Sequence, residues 1–345
     1  SGCHCGTRSP PTGTLNRGRI MDWTGLKVLV TGAGGFIGSH LVEELIDLGA
    51  QVTAFVRYTS QASVRFLSSL GSDLRIVAGD LTEFESVYKA MGDQEYVFHL
   101  GALIGVPYSF VHPREVVQVN TIGTLNVLSA ARETRPRRVV LTSTSEVYGT
   151  ARYVPIDEDH PLQAQSPYAA SKIAADKLGE AFHHSYDLPV AIVRPFNTFG
   201  PRQSLRAVIP TIIVQALGGG PISLGATSPT RDFTFVKDTV RGLVRNAEVE
   251  EAIGEVINLG TGQEMLIGDI AKKIASIINR DIRILTDEKR LRPGSSEVHQ
   301  LRCNNTKAER LLAWKPRFSL EEGLRQTIDW LKKSDNLEDP RGYHI

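Results

Sequence analysis

Lys27-Val28-Leu29-Val30, followed by Thr31-Gly32-Ala33-Gly34-Gly35-Phe36-Ile37-Gly38, is the stretch that decides the fold. A short apolar run, a glycine-rich turn and an amphipathic pattern over residues 36–48 read as strand, tight turn and helix. Gly32, Gly35 and Gly38 let the backbone turn sharply and approach a pyrophosphate, whose charge is favoured at the N-terminus of the following helix. The spacing is G-x-x-G-x-x-G. It departs from the G-x-G-x-x-G fingerprint because Ile37 holds that motif's last glycine position. With its strand and helix in place, the turn still predicts a dinucleotide site.

Downstream, β-branched runs at 52–56, 74–77, 96–100, 138–142 and 190–194 alternate with helical patterns. That alternation predicts an α/β fold, a doubly wound parallel sheet of Rossmann type, with ligands in the crevice at the strands' carboxyl ends. Thr142-Ser143-Thr144-Ser145-Glu146 directly follows one such run, so its side chains should line the crevice. After Pro195 the pattern becomes irregular, with Gly218-Gly219-Gly220-Pro221 and Arg292-Pro293-Gly294-Ser295-Ser296, and reads as a smaller lobe. The expected division is a disordered extension at 1–20, a dinucleotide domain at 21–195 and a substrate-binding lobe at 196–345, the last two partly interleaved. Ser319 and Glu322 have capping-box spacing ahead of a final helix carrying Leu324, Ile328 and Leu331.

Ser166-Pro167-Tyr168-Ala169-Ala170-Ser171-Lys172 carries the chemistry. Ser166 fits an N-cap and Pro167 the first helical position, so Tyr168 and Lys172 fall one turn apart on one helical face. A cation beside a phenol favours the charged form, which would let Tyr168 remove a proton from an alcohol near neutral pH. The pattern Y-x-x-x-K alone arises often by chance; its place after the glycine turn and a strand-like run gives it weight.

Together these motifs resemble the extended short-chain dehydrogenase/reductase superfamily, from about Lys27 to about Trp330. Ala102-Leu103-Ile104-Gly105-Val106-Pro107-Tyr108 and Thr144-Ser145-Glu146-Val147-Tyr148-Gly149 look most like its nucleotide-sugar 4,6-dehydratases of the legionaminic acid pathway. The resemblance implies a catalytic trio of Thr144, Tyr168 and Lys172. It implies cofactor contacts at Gly32, Gly35, Phe36, Ile37, Gly38, Arg57, Asp80, Leu81, Leu100, Gly101, Ala102 and Pro195, besides Tyr168 and Lys172. Substrate contacts would come from Asn197 and Arg202 in Arg194-Pro195-Phe196-Asn197-Thr198-Phe199-Gly200-Pro201-Arg202, and from Arg231 and Arg292 on the diphosphate, which a guanidinium matches bidentately. The substrate so implied is a UDP-N-acetylhexosamine, and a homodimer is implied through helices including residues 113–132 and 168–185.

The resemblance also implies a reaction. Tyr168, with Lys172 and Thr144, takes the proton of the sugar's 4-hydroxyl as hydride leaves C4; Glu146 removes the C5 proton as the C6 hydroxyl departs; hydride returns to C6. Ser145 stands where better-known 4,6-dehydratases carry an aspartic acid, so Glu146 is expected to serve as base and then acid. Alternatives are a 4-epimerase, whose relatives usually lack a carboxylate at Glu146, and a C6 decarboxylase, which typically carries acidic residues where Ala169-Ala170 stand. Outside catalysis, a nucleotide-binding scaffold shares the fold. The cofactor is read two ways: the run 52–56 ends in Arg57-Tyr58 with no carboxylate, which favours NADP or indifference, whereas the resemblance favours NAD. NAD is the expectation.

Composition agrees without naming an activity. Lys+Arg 39 against Asp+Glu 38 in 345 residues leaves a net charge of +1, no electrostatic case for nucleic acid or an anionic membrane. No apolar run approaches the roughly 20 residues that span a bilayer, and residues 1–20 lack a signal peptide's apolar centre, so the cytoplasm is expected. Three cysteines make no disulfide scaffold. Cys3-His4-Cys5 has no second half-site, so no metal is expected there, and Cys303 reads as a small buried residue. His40, His99, His183 and His184 are read as structural.

Overall fold

The computed structural model describes residues 21–57, 65–68, 70–71, 74–291 and 294–333. The expected extension at 1–20, with Cys3 and Cys5, and the expected diphosphate ligand Arg292 lie outside the described residues.

Seven strands form one parallel sheet. Six of them are β1 Lys27–Thr31, β2 Gln51–Arg57, β3 Leu74–Gly79, β4 Tyr96–His99, β5 Arg138–Thr142 and β6 Val190–Pro195. The seventh, Val256–Leu259, pairs with β6 as the edge, giving the order Val256–Leu259, β6, β5, β4, β1, β2, β3. The edge strand therefore comes from the chain beyond Pro195. Val28 sits between Val52 and Tyr96 in register. Val28, Leu29 and Val30 are all buried, which an uninterrupted apolar run achieves only when helices cover both faces.

Those helices include α1 Phe36–Asp47, α2 Phe84–Met91, α3 Val106–Val111, α4 Pro113–Val117, α5 Gly123–Thr134 and α6 Pro167–Tyr186. The sequence suggested one helical run over 113–132, but Gln118–Ile122 is a π-helical turn between α4 and α5. Strand order reverses between β1 and β4, so the crevice opens there, above the glycine turn.

The second lobe is assembled from fragments: Asn197–Phe199 with Phe233–Phe235, Thr230–Arg231 with Met265–Leu266, and Ile222–Leu224 with Ile284–Thr286. Its closing helix Leu320–Lys333 begins at the expected capping box: Ser319 N–H donates to Glu322 Oε2 at 2.8 Å and Glu322 N–H to Ser319 Oγ at 3.2 Å. Among the described residues no helix is long and apolar enough to cross a membrane.

Candidate active site

The glycine turn is shaped by contact. Gly32 has φ +67°, and a Cβ on it would lie 2.7 Å from Gly101 N, so the turn and the end of β4 touch backbone to backbone. A Cβ on Gly38 would come within 2.1 Å of Gly32 O, where helix α1 closes on the turn. Gly35 caps α1 without a side-chain hydrogen bond, so the helix N-terminus faces the crevice uncapped by its own chain. A close-packed backbone cradle at an uncapped helix start fits a dinucleotide's pyrophosphate. Asp80 lies at the end of β3, where its Oδ1 accepts from Thr82 N–H at 2.9 Å, and Leu81 packs against Gly101. Arg57, Asp80, Thr82, His112 and Glu115 line a cleft of about 560 Å³ there.

His99 ties this cradle to helix α5. Thr124 Oγ1 donates to Asn120 O at 2.6 Å and so accepts from His99 Nε2–H at 3.0 Å. His99 Nδ1 then accepts from the Thr31 hydroxyl at 2.7 Å, while Thr31 Oγ1 accepts from Gly101 N–H at 3.1 Å. Burial pushes the imidazole pKa down to about 3, so the ring stays neutral and the chain keeps one direction.

Thr144 and Tyr168 meet, with Lys172 one turn further along α6. Ser166 Oγ accepts from Ala169 N–H at 3.1 Å, fixing the start of α6, and presents Tyr168 and Lys172 inward, both buried. Thr144 ends the segment after β5 and hydrogen-bonds the Tyr168 hydroxyl; its Oγ1 also accepts from Glu146 N–H at 3.2 Å. Thr144 thereby sets the 3₁₀ turn Ser145–Tyr148 that holds Glu146 near Tyr168. Ser145 is 3% exposed and faces the interior, whereas Glu146 is half-buried.

The electrostatics differ from expectation. Burial pushes the Tyr168 pKa up, the Thr144 bond opposes this, and the charges of Glu146 and Asp176 push it further up. Lys172 does not offset these effects: its ammonium donates to Thr142 O at 2.6 Å, and burial lowers its own pKa against the pull of Asp176. Without ligand, Tyr168 is therefore a protonated phenol.

Other expected residues divide. Asn197 Oδ1 is buried with no protein partner, which suits a group waiting for a polar ligand. Arg231 is 6% exposed; its Nη1 donates to Thr230 O at 2.9 Å and its Nη2 lies 3.4 Å from Glu297 Oε1. Arg202 pairs with Glu43 of α1 at 3.0 Å and lies over the Phe66 ring, while its Nη1 is buried without a protein hydrogen-bond partner.

Sequence reasoning passed over a buried network behind the trio. Arg194 Nε donates to Asp176 Oδ2 at 2.9 Å, Arg194 Nη1 to Tyr148 Oη at 3.0 Å, and Tyr148 Oη to Asn258 Oδ1 at 2.7 Å. Arg194 opens the quoted sugar-site motif, yet it is 2% exposed and faces this network. Asn120, in the π-helical turn, donates from Nδ2 to Leu103 O and Ser171 Oγ, both at 3.0 Å, bracing the loop after β4 against α6. A buried acid one turn beyond Lys172, and one asparagine within an apolar helical run, were the available signals.

A cofactor cradle, a Thr/Tyr/Lys floor and a polar second lobe on a doubly wound sheet define an enzyme of the extended short-chain dehydrogenase/reductase type. The chain belongs to the GDP-mannose 4,6 dehydratase family, whose model it matches over residues 29–327. It is 34% identical over 319 residues to a UDP-glucose 4-epimerase of Mycolicibacterium smegmatis, covering 89% of this chain and 99% of that protein. It is 32% identical over 321 residues to a UDP-N-acetyl-alpha-D-glucosaminuronate decarboxylase of Bacillus cytotoxicus, with 90% and 99% covered. Among solved structures, a dTDP-glucose 4,6-dehydratase of Streptomyces venezuelae, crystallised with NAD bound, superposes with a TM-score of 0.83 at 28% identity, covering 91% of this chain and 99% of that one. A UDP-glucuronic acid 4-epimerase of Bacillus cereus, in complex with UDP-glucuronic acid and NAD, gives 0.82 at 30% identity, with 89% and 99% covered.

Proposed function

We propose that this protein is an NAD-dependent nucleotide-sugar 4,6-dehydratase that converts a UDP-N-acetylhexosamine, with UDP-N-acetylglucosamine foremost, to its 4-keto-6-deoxy derivative. The observation that carries the reading is the position of Glu146, a half-buried carboxylate on the turn set by Thr144 and close enough to Tyr168 to act on its pKa. The NAD-bound neighbours and the bare glycine cradle support the cofactor.

Held by the glycine turn of Gly32, Gly35 and Gly38, an oxidised nicotinamide cofactor would supply positive charge, a hydride acceptor for C4 and the hydride for C6. Tyr168 accepts the proton of the 4-hydroxyl, with Thr144 holding the phenolic oxygen and Lys172, one turn along α6, bracing Thr142 O at the end of β5. The resulting carbonyl acidifies C5. Glu146 removes that proton and, now a carboxylic acid, protonates the C6 oxygen, which departs as water. When hydride is returned to C6, C5 takes a proton from solvent, balanced by the 4-hydroxyl proton that Tyr168 releases, and Ser145, buried beside Glu146, helps position the turn. A positioned acid or base of this kind contributes about 10²–10⁴-fold. Asn197 and Arg231 are proposed to meet the sugar nucleotide.

Glu146→Gln tests the assignment. The variant should still oxidise C4, while hydrogen exchange at C5 with deuterated solvent stops and loss of water falls by about 10²–10⁴-fold. Normal exchange would remove Glu146 as base. The 34% identity to a 4-epimerase supports a second reading, inversion at C4. Mass analysis after incubation with UDP-N-acetylglucosamine, UDP-glucose and UDP-glucuronic acid separates the outcomes: loss of water for a dehydratase, unchanged mass for an epimerase, loss of carbon dioxide for a decarboxylase. A homodimer fits Ile104, Phe110, Val111 and Val117, large apolar residues exposed on and around α3 and α4.

A further inference from the structure

Strand β2 ends in Arg57, with no acidic residue at its close. In many dinucleotide sheets a carboxylate there accepts hydrogen bonds from the adenosine ribose, and a nearby arginine instead accommodates a 2′-phosphate. A lone guanidinium at this position would make the chain receptive to a phosphorylated cofactor. Arg57 is not alone. Its Nη2 lies 3.7 Å from Oε1 of Glu115 on α4, with both side chains part-exposed. Tyr108 Oη on α3 donates to Glu115 Oε2, and the His112 ring stands 4.5 Å from the Tyr108 ring. All of this borders the cleft of about 560 Å³ that Arg57, Asp80, Thr82, His112, Arg114 and Glu115 line at the carboxyl ends of β2 and β3.

We propose that Glu115 determines cofactor specificity: from α4 it supplies the carboxylate that β2 lacks, and by holding Arg57 it denies that guanidinium to a 2′-phosphate. The inference rests on the nicotinamide-dinucleotide reading above. Its physical content is local charge. With Glu115 ionised, the pair is neutral and a phosphate dianion entering the cleft meets a carboxylate as well as a cation. With Glu115 removed, Arg57 keeps its charge and its planar fork, suited to bidentate phosphate binding. Tyr108 keeps the carboxylate turned toward Arg57.

The test needs no turnover. Binding of NADH and NADPH to the full-length protein, followed by nicotinamide fluorescence, gives the ratio of their dissociation constants. The wild type should prefer NADH. Glu115→Gln should shift the ratio toward NADPH by about two- to fivefold, the scale of one part-exposed ion pair. Glu115→Asp should keep the wild-type preference, and Glu115→Gln combined with Arg57→Gln should lose the gain. An unchanged ratio in Glu115→Gln, or a gain that survives removal of Arg57, overturns the proposal. A wild type that binds neither reduced cofactor overturns the reading beneath it, an outcome visible before any variant is made.

Discussion

The floor of the crevice and the lobe above it are built on opposite principles. The floor is a buried polar lattice: Lys172 on Thr142, Asp176 on Arg194, Arg194 on Tyr148, Tyr148 on Asn258, and His99 linking the cradle to α5. The lobe is built on two-stranded fragments and pairs its polar groups more loosely, as Arg231 on Thr230–Arg231 does with Glu297, its Nη2 3.4 Å from the carboxylate. A buried charge must be satisfied by fixed partners, so the floor can hold only one geometry. A part-exposed lobe can exchange protein partners for ligand oxygens. The family's range of reactions, held on one fold, matches that division.

The comparison can be broken in several places. Tyr168→Phe keeps the ring and the packing but removes the proton acceptor, so single-turnover reduction of cofactor should fall by at least about 10³-fold with thermal stability little changed. Retained reduction would move the proton chemistry off the floor. Asp176→Asn leaves Arg194 and Lys172 buried without their counter-charge, and should destabilise the fold by about 3–5 kcal/mol in denaturant unfolding. A loss below about 1 kcal/mol would mean the lattice is less dry than its burial indicates.

Acid should act on the floor next. Burial lowers the His99 pKa to about 3 and the His40 pKa to about 4. A histidine whose folded pKa is depressed contributes stability above its unfolded pKa near 6.5, and loses it as pH falls toward the folded value. Thermal melts from about pH 7.5 to about pH 5 should show stability falling with proton uptake on unfolding, and His99→Gln should flatten part of the slope. A pH-independent midpoint would place charge on these rings in the native state. The smallest effect belongs to Arg202→Gln: loss of the Glu43 pair should cost under about 1 kcal/mol and leave the KM for sugar nucleotide within about twofold. A tenfold rise in KM would place Arg202 at the substrate.

The sequence alone determined six of the sheet's seven strands, the glycine turn, the caps at Ser166 and Ser319, and the one-turn spacing of Tyr168 and Lys172 on one helix, but not the edge strand Val256–Leu259. Each feature it determined depends on spacing along the chain: an apolar run, a turn without side chains, an i to i+4 step on one helix. Tertiary structure decided what depends on separation from water and on distant partners. Arg194 and Arg202 stand eight positions apart in one motif, yet one enters the buried lattice with Asp176 and the other crosses to Glu43 on α1. The π-helical turn that aims Asn120 is a packing outcome between the loop after β4 and α6. The phenol of Tyr168 rises rather than falls in pKa because burial and two carboxylates outweigh the Thr144 hydrogen bond, while Lys172 donates to Thr142 O instead. Periodicity is local and survives in the string, whereas desolvation and charge pairing act through space between residues that the chain order keeps apart.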